Sequence, residues 1–410
     1  MAASVEGKRV ANQPEAQARN ILPAVLLLLF ATGWAANHFA AMLPVFARSE
    51  GLSHQALDGA FGIYAVGLLP ALLGGGSLSD RLGRRPLLLS GAAVAGLGNL
   101  SLLCVHDQAG IFIGRLIVGA GVGVAMSAGT AWSAEIGGGS GSVLAGVSLS
   151  AGFGCGPLVS GLLAQFADAA AYVPFIVTIA LSTTAVVVGV FLARVPVDEA
   201  SRYQPIQTDQ ERAEHGGNTV AALSSALPMA LWVFSCATVT IVTMAERMQY
   251  RFSGPWVPGV AAAVTLTAGV AIQMVARRRG WGRSAGVVGA AVAAVGFGAV
   301  AAAGDTPSLA VFFLIAVVLG IAYGLCLREG LIDIETMSPP RARGTLTGVF
   351  YVVTYLGFGL PVFLVAVKPA VGAVTPMLVL AALAATAATV RAVQVFGPRK
   401  LRIQRHHLLA

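Results

Sequence analysis

Long apolar runs separated by short polar gaps fill the chain from Ile21 to about Val395. An α-helix needs roughly 20 apolar residues to cross about 30 Å of hydrocarbon, and by that measure the pattern predicts twelve spans. Six lie in the first half, approximately Ile21–Ala47, Gln55–Gly75, Pro86–Val105, Gly110–Ser133, Ser142–Ala164 and Tyr172–Leu192. A polar stretch from Val195 to about Gly217, carrying Asp198, Glu199, Arg202, Asp209, Glu211, Arg212 and Glu214, reads as a solvated linker. Six more spans follow, approximately Ala222–Thr243, Trp256–Ala276, Ser284–Ala303, Leu309–Leu327, Gly344–Val367 and Thr375–Val395. The expected organisation is an all-α membrane protein with a tail over 1–20, a six-helix bundle over 21–194, a linker over 195–221, a second bundle over 222–396 and a basic tail over 397–410.

Composition excludes the main soluble alternatives. The chain is 56% hydrophobic and 11% charged, with a mean hydropathy of +0.79, where soluble domains carry about 25% charged residues. Its net charge of +8 comes from basic residues in the gaps between spans, not from a patch on a polar domain, so nucleic acid is not an expected partner. The positions of those residues carry topology. One set of alternating gaps and tails holds Lys8, Arg9, Arg81, Arg84, Arg85, Arg277, Arg278, Arg279, Arg283, Arg399 and Lys400 among others, and the opposite set only Arg48, Arg247, Arg251 and Lys368. Short loops rich in Lys and Arg stay cytoplasmic, which places both termini in the cytoplasm; the short loops and compact length suggest a bacterial inner (plasma) membrane as the location. The competing reading of the N-terminus is a cleavable signal peptide ending near Ala35 and Ala36; the apolar run is too long for one, and its removal would leave an odd number of spans.

Chemistry-bearing motifs are sparse. Cys104, Cys155, Cys236 and Cys326 fall inside spans without metal-ligand spacing, and no His-Glu-x-x-His, P-loop or Gly-x-Ser-x-Gly pattern occurs. No cofactor, metal or catalytic constellation is expected, and an enzyme reading has no residues behind it. The segment Gly76-Ser77-Leu78-Ser79-Asp80-Arg81-Leu82-Gly83-Arg84-Arg85-Pro86 reads as a tight basic turn between two spans. It resembles the signature loop of the major facilitator superfamily, and the Arg277–Arg283 stretch sits where a degenerate copy should be. Gly152-Phe153-Gly154-Cys155-Gly156-Pro157 in the fifth span recurs, one residue shorter, as Gly357-Phe358-Gly359-Leu360-Pro361 in the eleventh, an internal repeat that fits two related halves around a midplane substrate site.

Two further resemblances narrow the branch. Arg115-x-x-x-Gly119-x-Gly121 looks like the arginine motif of proton-coupled members, and Gly152, Gly156, Pro157 and Gly161 resemble the antiporter motif of drug:proton exporters, with Ser160 replacing one glycine. In such proteins Asp80, Gly83, Arg84 and Glu135 would form a cytoplasmic clasp that opens as the halves rock. A solvated turn that only fixes topology is the bland alternative. Arg115 either faces a polar cavity, because an arginine inside a span costs about 2.5–3.5 kcal/mol, or snorkels to the outer interface. Gly152 and Gly156 share a helical face and allow close approach, and Pro157 permits a kink.

Proton coupling needs a group that changes charge, and the candidates beside Arg115 are Asp58 near the outer end of the second span, His38 in the first and Glu246 closing the seventh. His38, with an unperturbed pKa of about 6.5, is either a proton switch or a hydrogen-bonded packing residue. Asp58 has a plain alternative as a helix cap. Glu329 and Asp333, four apart near Arg328, form another candidate pair, whose plain alternative is the cytoplasmic end of the tenth span, since they lead into the Pro339-Pro340-Arg341 turn. Unlike many drug exporters, the first span carries no carboxylate. Candidate substrate-cavity residues are Asn37, His38, Tyr64, Trp132, Trp232, Tyr351, Thr354 and Tyr355, aromatic surface with few hydrogen-bonding groups, which suits an amphipathic or lipophilic solute. The expectation is a monomeric exporter in the lipid bilayer, exchanging a small molecule for protons. The alternatives are a proton-coupled importer of a metabolite such as a sugar and a transport-inactive receptor or scaffold.

Overall fold

The computed structural model describes residues 21–192, 218–339 and 342–397. Twelve helices in it are long and apolar enough to cross a membrane: α1 Ile21–Ser49, α2 His54–Leu82, α3 Arg84–Cys104, α4 Gln108–Gly137, α5 Ser140–Phe166, α6 Val173–Leu192, α7 Thr219–Met248, α8 Trp256–Arg278, α9 Ser284–Ala302, α10 Leu309–Met337, α11 Thr345–Val371 and α12 Val374–Phe396. No strand occurs among the described residues. The twelve-span, all-α reading holds. Both expected tails, apart from Gly397, and nearly all of the expected linker lie outside the described residues.

Several boundaries move for physical reasons. The basic turn expected from Gly76 to Pro86 is mostly helix, because Ser77 and Ser79 turn their hydroxyls back onto the Gly74 and Gly76 carbonyls and α2 continues to Leu82. Gly83 alone leaves the helix, at φ +93°, a conformation side-chain-bearing residues avoid. Helix α10 likewise runs to Met337 rather than stopping near Leu327. Between α4 and α5 helical hydrogen bonding runs without a break from Gln108 to Phe166, yet the chain reverses. A Cβ on Gly141 would fall on the Ser133 carbonyl oxygen, so this turn needs the glycine-rich run from Gly137 to Gly141. Elsewhere starts are set by capping side chains: Asp107 accepts from the Gly110 amide at 2.7 Å, and Asn218 and Ser308 do the same for α7 and α10.

The chain groups into two compact units, 1–52 with 63–207, and 53–62 with 208–410. The first turns of α2 therefore belong with the second unit. In the first, α1 is the hub: Val25, Leu28 and Leu29 pack with Leu87 and Leu88 of α3, Ala125 and Trp132 of α4, Ala145 of α5 and Ala185 of α6. In the second, Phe234 of α7 lies 4.5 Å from Tyr355 and 5.0 Å from Phe358 of α11 between ring centroids, and Phe358 stacks on Phe61 at 5.2 Å. Such pairs add about 0.5–1.5 kcal/mol each beyond area burial.

Candidate functional site

Arg115 sits in the interior of the first unit, fully buried. Its Nη1 donates to the Ala36 carbonyl of α1 at 2.9 Å, and its guanidinium lies 4.7 Å from the Phe39 ring centre and 4.6 Å from that of Tyr64. That rules out snorkelling. The two glycines that follow explain the geometry: a Cβ on Gly119 would fall on the Tyr64 carbonyl of α2, and one on Gly121 would lie 2.6 Å from the Gly91 carbonyl of α3. Being two residues apart, they face different neighbours. Helix α4 is thus wedged between α2 and α3, which brings the Tyr64 ring against Arg115.

His38 occupies a 3-10 turn, His38–Met42, that precedes Pro44. Proline has no N–H to close an α-helical bond to the Ala40 carbonyl, so the helix tightens there. The imidazole is completely buried, its ring edge-on to Phe175 at 4.9 Å, and its Nε2 lies 2.7 Å from Asn99 Oδ1. Asn99 Nδ2 donates to the Ala35 and Ala95 carbonyls at 3.3 and 3.0 Å. With its amide protons so committed, Asn99 presents its oxygen to His38, and neutral His38 carries its proton on Nε2. Nδ1 is buried without a hydrogen-bond partner among the described residues.

The glycines of the fifth span meet α1. A Cβ on Gly152 would fall on the Phe30 carbonyl, and one on Gly156 would lie 2.9 Å from the Trp34 carbonyl. Pro157 leaves the Phe153 carbonyl, four residues back, without its helical donor. Asn37 supplies the replacement, its Nδ2 donating to Phe153 O at 2.9 Å. Gly161 and Ser160 are buried farther along α5. The second unit solves the matching position differently: ahead of Pro361 the chain tightens into a 3-10 turn, Leu356–Gly359, in which the Leu360 N–H donates to the Gly357 carbonyl; Thr238 of α7 donates to the same carbonyl at 2.8 Å, and a Cβ on Gly357 would fall on the Ser235 amide. In both copies of the repeat a polar side chain from another helix of the same unit reaches the carbonyl four residues before the proline.

At the arginine-rich ends each unit carries an ionic cluster. In the first, Arg84 bridges Asp80 at 2.6 Å and Glu135 at 2.7 Å and bonds Ser79, so the ends of α2 and α4 meet the start of α3. In the second, Asp333 of α10 receives Arg391 of α12 at 2.6 Å, Arg283 at 3.2 Å and the Ser225 hydroxyl of α7 at 2.6 Å, while Arg391 also bonds Ser225. Glu329 pairs with Arg328. Asp333 and Glu329 lie near the end of α10 yet are buried, both 1% exposed, whereas the Asp80 side chain is 63% exposed.

At the opposite ends of the helices, Glu246 of α7 borders a cavity of about 310 Å³ in the second unit, with Thr243, Tyr250, Asp305, Lys368 and Met377 in its wall. His54 Nδ1 lies 3.5 Å from Glu246 Oε1. Asp58, one turn along α2 from His54, is 4% exposed, and its Oδ2 has no hydrogen-bond partner among the described residues. No group of three or more His, Cys, Asp or Glu side chains able to hold a metal ion occurs among the described residues.

Residues 25–361 match the family model described as Major Facilitator Superfamily. The chain belongs to that superfamily. It is accordingly a multi-pass membrane protein and not an enzyme. Over 98 residues it is 35% identical to the multidrug resistance protein MdtL of Klebsiella pneumoniae subsp. pneumoniae, 24% of each chain. Over 80 residues it is 34% identical to the 3-(3-hydroxy-phenyl)propionate transporter of Escherichia coli (strain K12), 20% of each chain. The alignments thus span about a quarter or less of these curated relatives. Among solved structures it resembles a POT family transporter in complex with a thioalcohol-conjugated peptide, with a TM-score of 0.73 at 14% identity over 92% of this chain and 96% of that one. An auto-inhibited POT family peptide transporter superposes with a TM-score of 0.70 at 17% identity, over 91% and 96%. At these identities the likeness is one of superfamily fold.

Of the residues singled out from sequence, the structure brings together Asp80, Arg84 and Glu135; Arg115 and Tyr64; and Asn37 with the Gly152–Pro157 segment. Gly83 is the turn beside Arg84. The aromatic cavity candidates each have a defined setting within their own unit. Trp132 lies in the apolar core around α1. Trp232 packs on Phe297 and donates to the Pro228 carbonyl of its own helix. Tyr351 and Tyr355 sit in the aromatic cluster with Phe358. Sequence reasoning missed Asn99, Ser225, Arg391 and His54, because a lone polar residue in an apolar run carries no signal of what it faces; Arg391, a charge inside the last span, could have been found from its cost in a membrane.

Proposed function

We propose that the protein is a secondary active transporter that exports a small amphipathic or lipophilic solute, a drug-like compound or metabolite, by alternating access coupled to inward proton movement. The observation that carries this is Arg115: a permanently charged side chain buried against α1 and two aromatic faces, at a depth where charge is expensive and retained for function. The close seam of Gly152 and Gly156 on α1, with the Pro157-freed carbonyl held by Asn37, supports a moving helix contact, since few side-chain contacts resist its sliding. The name of the MdtL relatives favours export, and 100 mV across the membrane supplies about 2.3 kcal/mol per charge moved. On this reading the protein works as a monomer in the inner membrane with both termini cytoplasmic. The Escherichia coli relative's name, that of an aromatic-acid transporter, supports a second reading, proton-coupled uptake of a small metabolite.

The deciding experiment uses energised everted vesicles and a pH-sensitive dye, with a panel of lipophilic drugs and aromatic acids added in turn, beside Arg115→Ala. Export predicts compound-triggered collapse of the pH gradient, absent in the variant. Compounds that cross without moving protons would remove antiport, and accumulation in intact cells would turn the reading to uptake.

A further inference from the structure

We infer that Asp58 is the carboxyl that takes up the transported proton, and that Glu246, with His54 beside it, passes the proton between Asp58 and the water of the cavity. This deepens the antiport reading and rests on it. Asp58 lies on α2 one turn from His54, so the two side chains share a helix face. Asp58 is 4% exposed, forms no ion pair among the described residues and leaves Oδ2 without a donor. Glu246 of α7 reaches this face of α2 through His54, whose Nδ1 lies 3.5 Å from Glu246 Oε1, and the Glu246 side chain is 35% exposed where it borders the cavity. A buried acid and a half-exposed one therefore lie in series between the protein interior and a space of about 310 Å³.

The surrounding charges leave this role to the acid pair. On α7, Arg247 is directed elsewhere, its Nη1 donating to the Val300 and Gly304 carbonyls at 2.9 and 3.1 Å. Asp305 and Lys368 stand in the cavity wall as one charge of each sign. On α2, His54 reaches Glu246, and on α11 the facing group is the Phe358 ring, stacked on Phe61. No cation fixes Asp58 as a permanent anion by direct pairing among the described residues. Two acids within electrostatic reach, one of them without water, exchange a proton more readily than they hold two charges. The transfer balances simply: one proton leaves the Glu246 carboxyl as Asp58 gains it, and Glu246 recovers one from cavity water through His54.

The test pairs a substrate-free probe with transport. Dicyclohexylcarbodiimide, an apolar reagent for protonated carboxyls, is applied to the purified protein at acid and alkaline pH, and adducts are located by peptide mass spectrometry. The expected result is an adduct at Asp58 that fades at alkaline pH; its absence at every pH overturns the inference. In everted vesicles Asp58→Asn should lose compound-triggered proton movement by about a hundredfold, Asp58→Glu should keep part of it, and Glu246→Gln should slow it. Wild-type movement matched by Asp58→Asn overturns this inference alone. No proton movement in wild-type vesicles overturns the antiport reading, and this inference with it.

Discussion

Replacing Asn37 by Ala isolates the bond that replaces a missing helical one. Asn37 is 7% exposed and donates to the Phe153 carbonyl at 2.9 Å, and that carbonyl lacks its helical donor because residue 157 is proline. An orphaned buried carbonyl costs about 1–3 kcal/mol in general, and side-chain bonds between membrane helices average about 0.6 with a ceiling near 1.7 kcal/mol. The membrane figures apply more directly, so Asn37→Ala should destabilise by about 1–1.5 kcal/mol. Pro157→Ala supplies an amide at position 157, which returns the helical bond to Phe153 O. In that background Asn37→Ala should cost close to nothing, giving a coupling energy of about 1 kcal/mol across the four proteins. The assay is reversible unfolding of each variant in mixed detergent micelles by titration with dodecyl sulfate, followed by tryptophan fluorescence. Additive effects, with a coupling below about 0.3 kcal/mol, would refute the compensation argument and leave Asn37 as ordinary packing.

In the second unit Gly357 O keeps a backbone donor, the Leu360 N–H, so Thr238→Val should cost about 0.6 kcal/mol with or without Pro361→Ala, measured in the same titration; a clear coupling would contradict this. Asp333→Asn leaves Arg391, itself 0% exposed, without its counter-charge and should cost about 3–5 kcal/mol, whereas Asp80→Asn, at a largely exposed pair, should cost under about 1 kcal/mol; thermal melts in detergent separate the two, and equal shifts would contradict the burial argument. Gly152→Val places its side chain on the Phe30 carbonyl and should destabilise by about 1–3 kcal/mol, while Gly154→Ala, where a Cβ would meet nothing within 4 Å, should be tolerated, as read from folded yield on size-exclusion chromatography. Asn99→Leu should strip His38 Nε2 of its acceptor and cost about 1–3 kcal/mol; an unchanged melting temperature would show that the pair contributes nothing.

The count and type of the helices were legible because a membrane span is a local property: about 20 apolar residues suffice, whatever they touch. The repeat of Gly152–Pro157 in Gly357–Pro361 was legible for a related reason. A proline within a helix removes the donor for the carbonyl four back, and the motif marks both places where that happens, although at Gly357 a 3-10 turn returns a backbone donor from Leu360. What answers it was not legible. Asn37 and Thr238 come from helices remote in sequence, and neither the apolar runs around them nor their spacing indicates which carbonyl they reach. Arg115 shows the same division. Its residue type at that depth marked it as costly, but snorkelling and burial share one sequence, and only the packing of α1, α2 and α4 around it chose burial under Tyr64 and Phe39. The ends of α2 and α10 were placed too early because an apolar count stops at the first polar residues, whereas both helices continue through Ser79 and Asp80 and through Glu329 and Asp333, whose partners come from other helices or the same turn. Hydrophobic periodicity fixes where the chain must be helical; which polar group meets which is set by helix packing, since in a nearly dry interior each one needs a partner from another part of the chain.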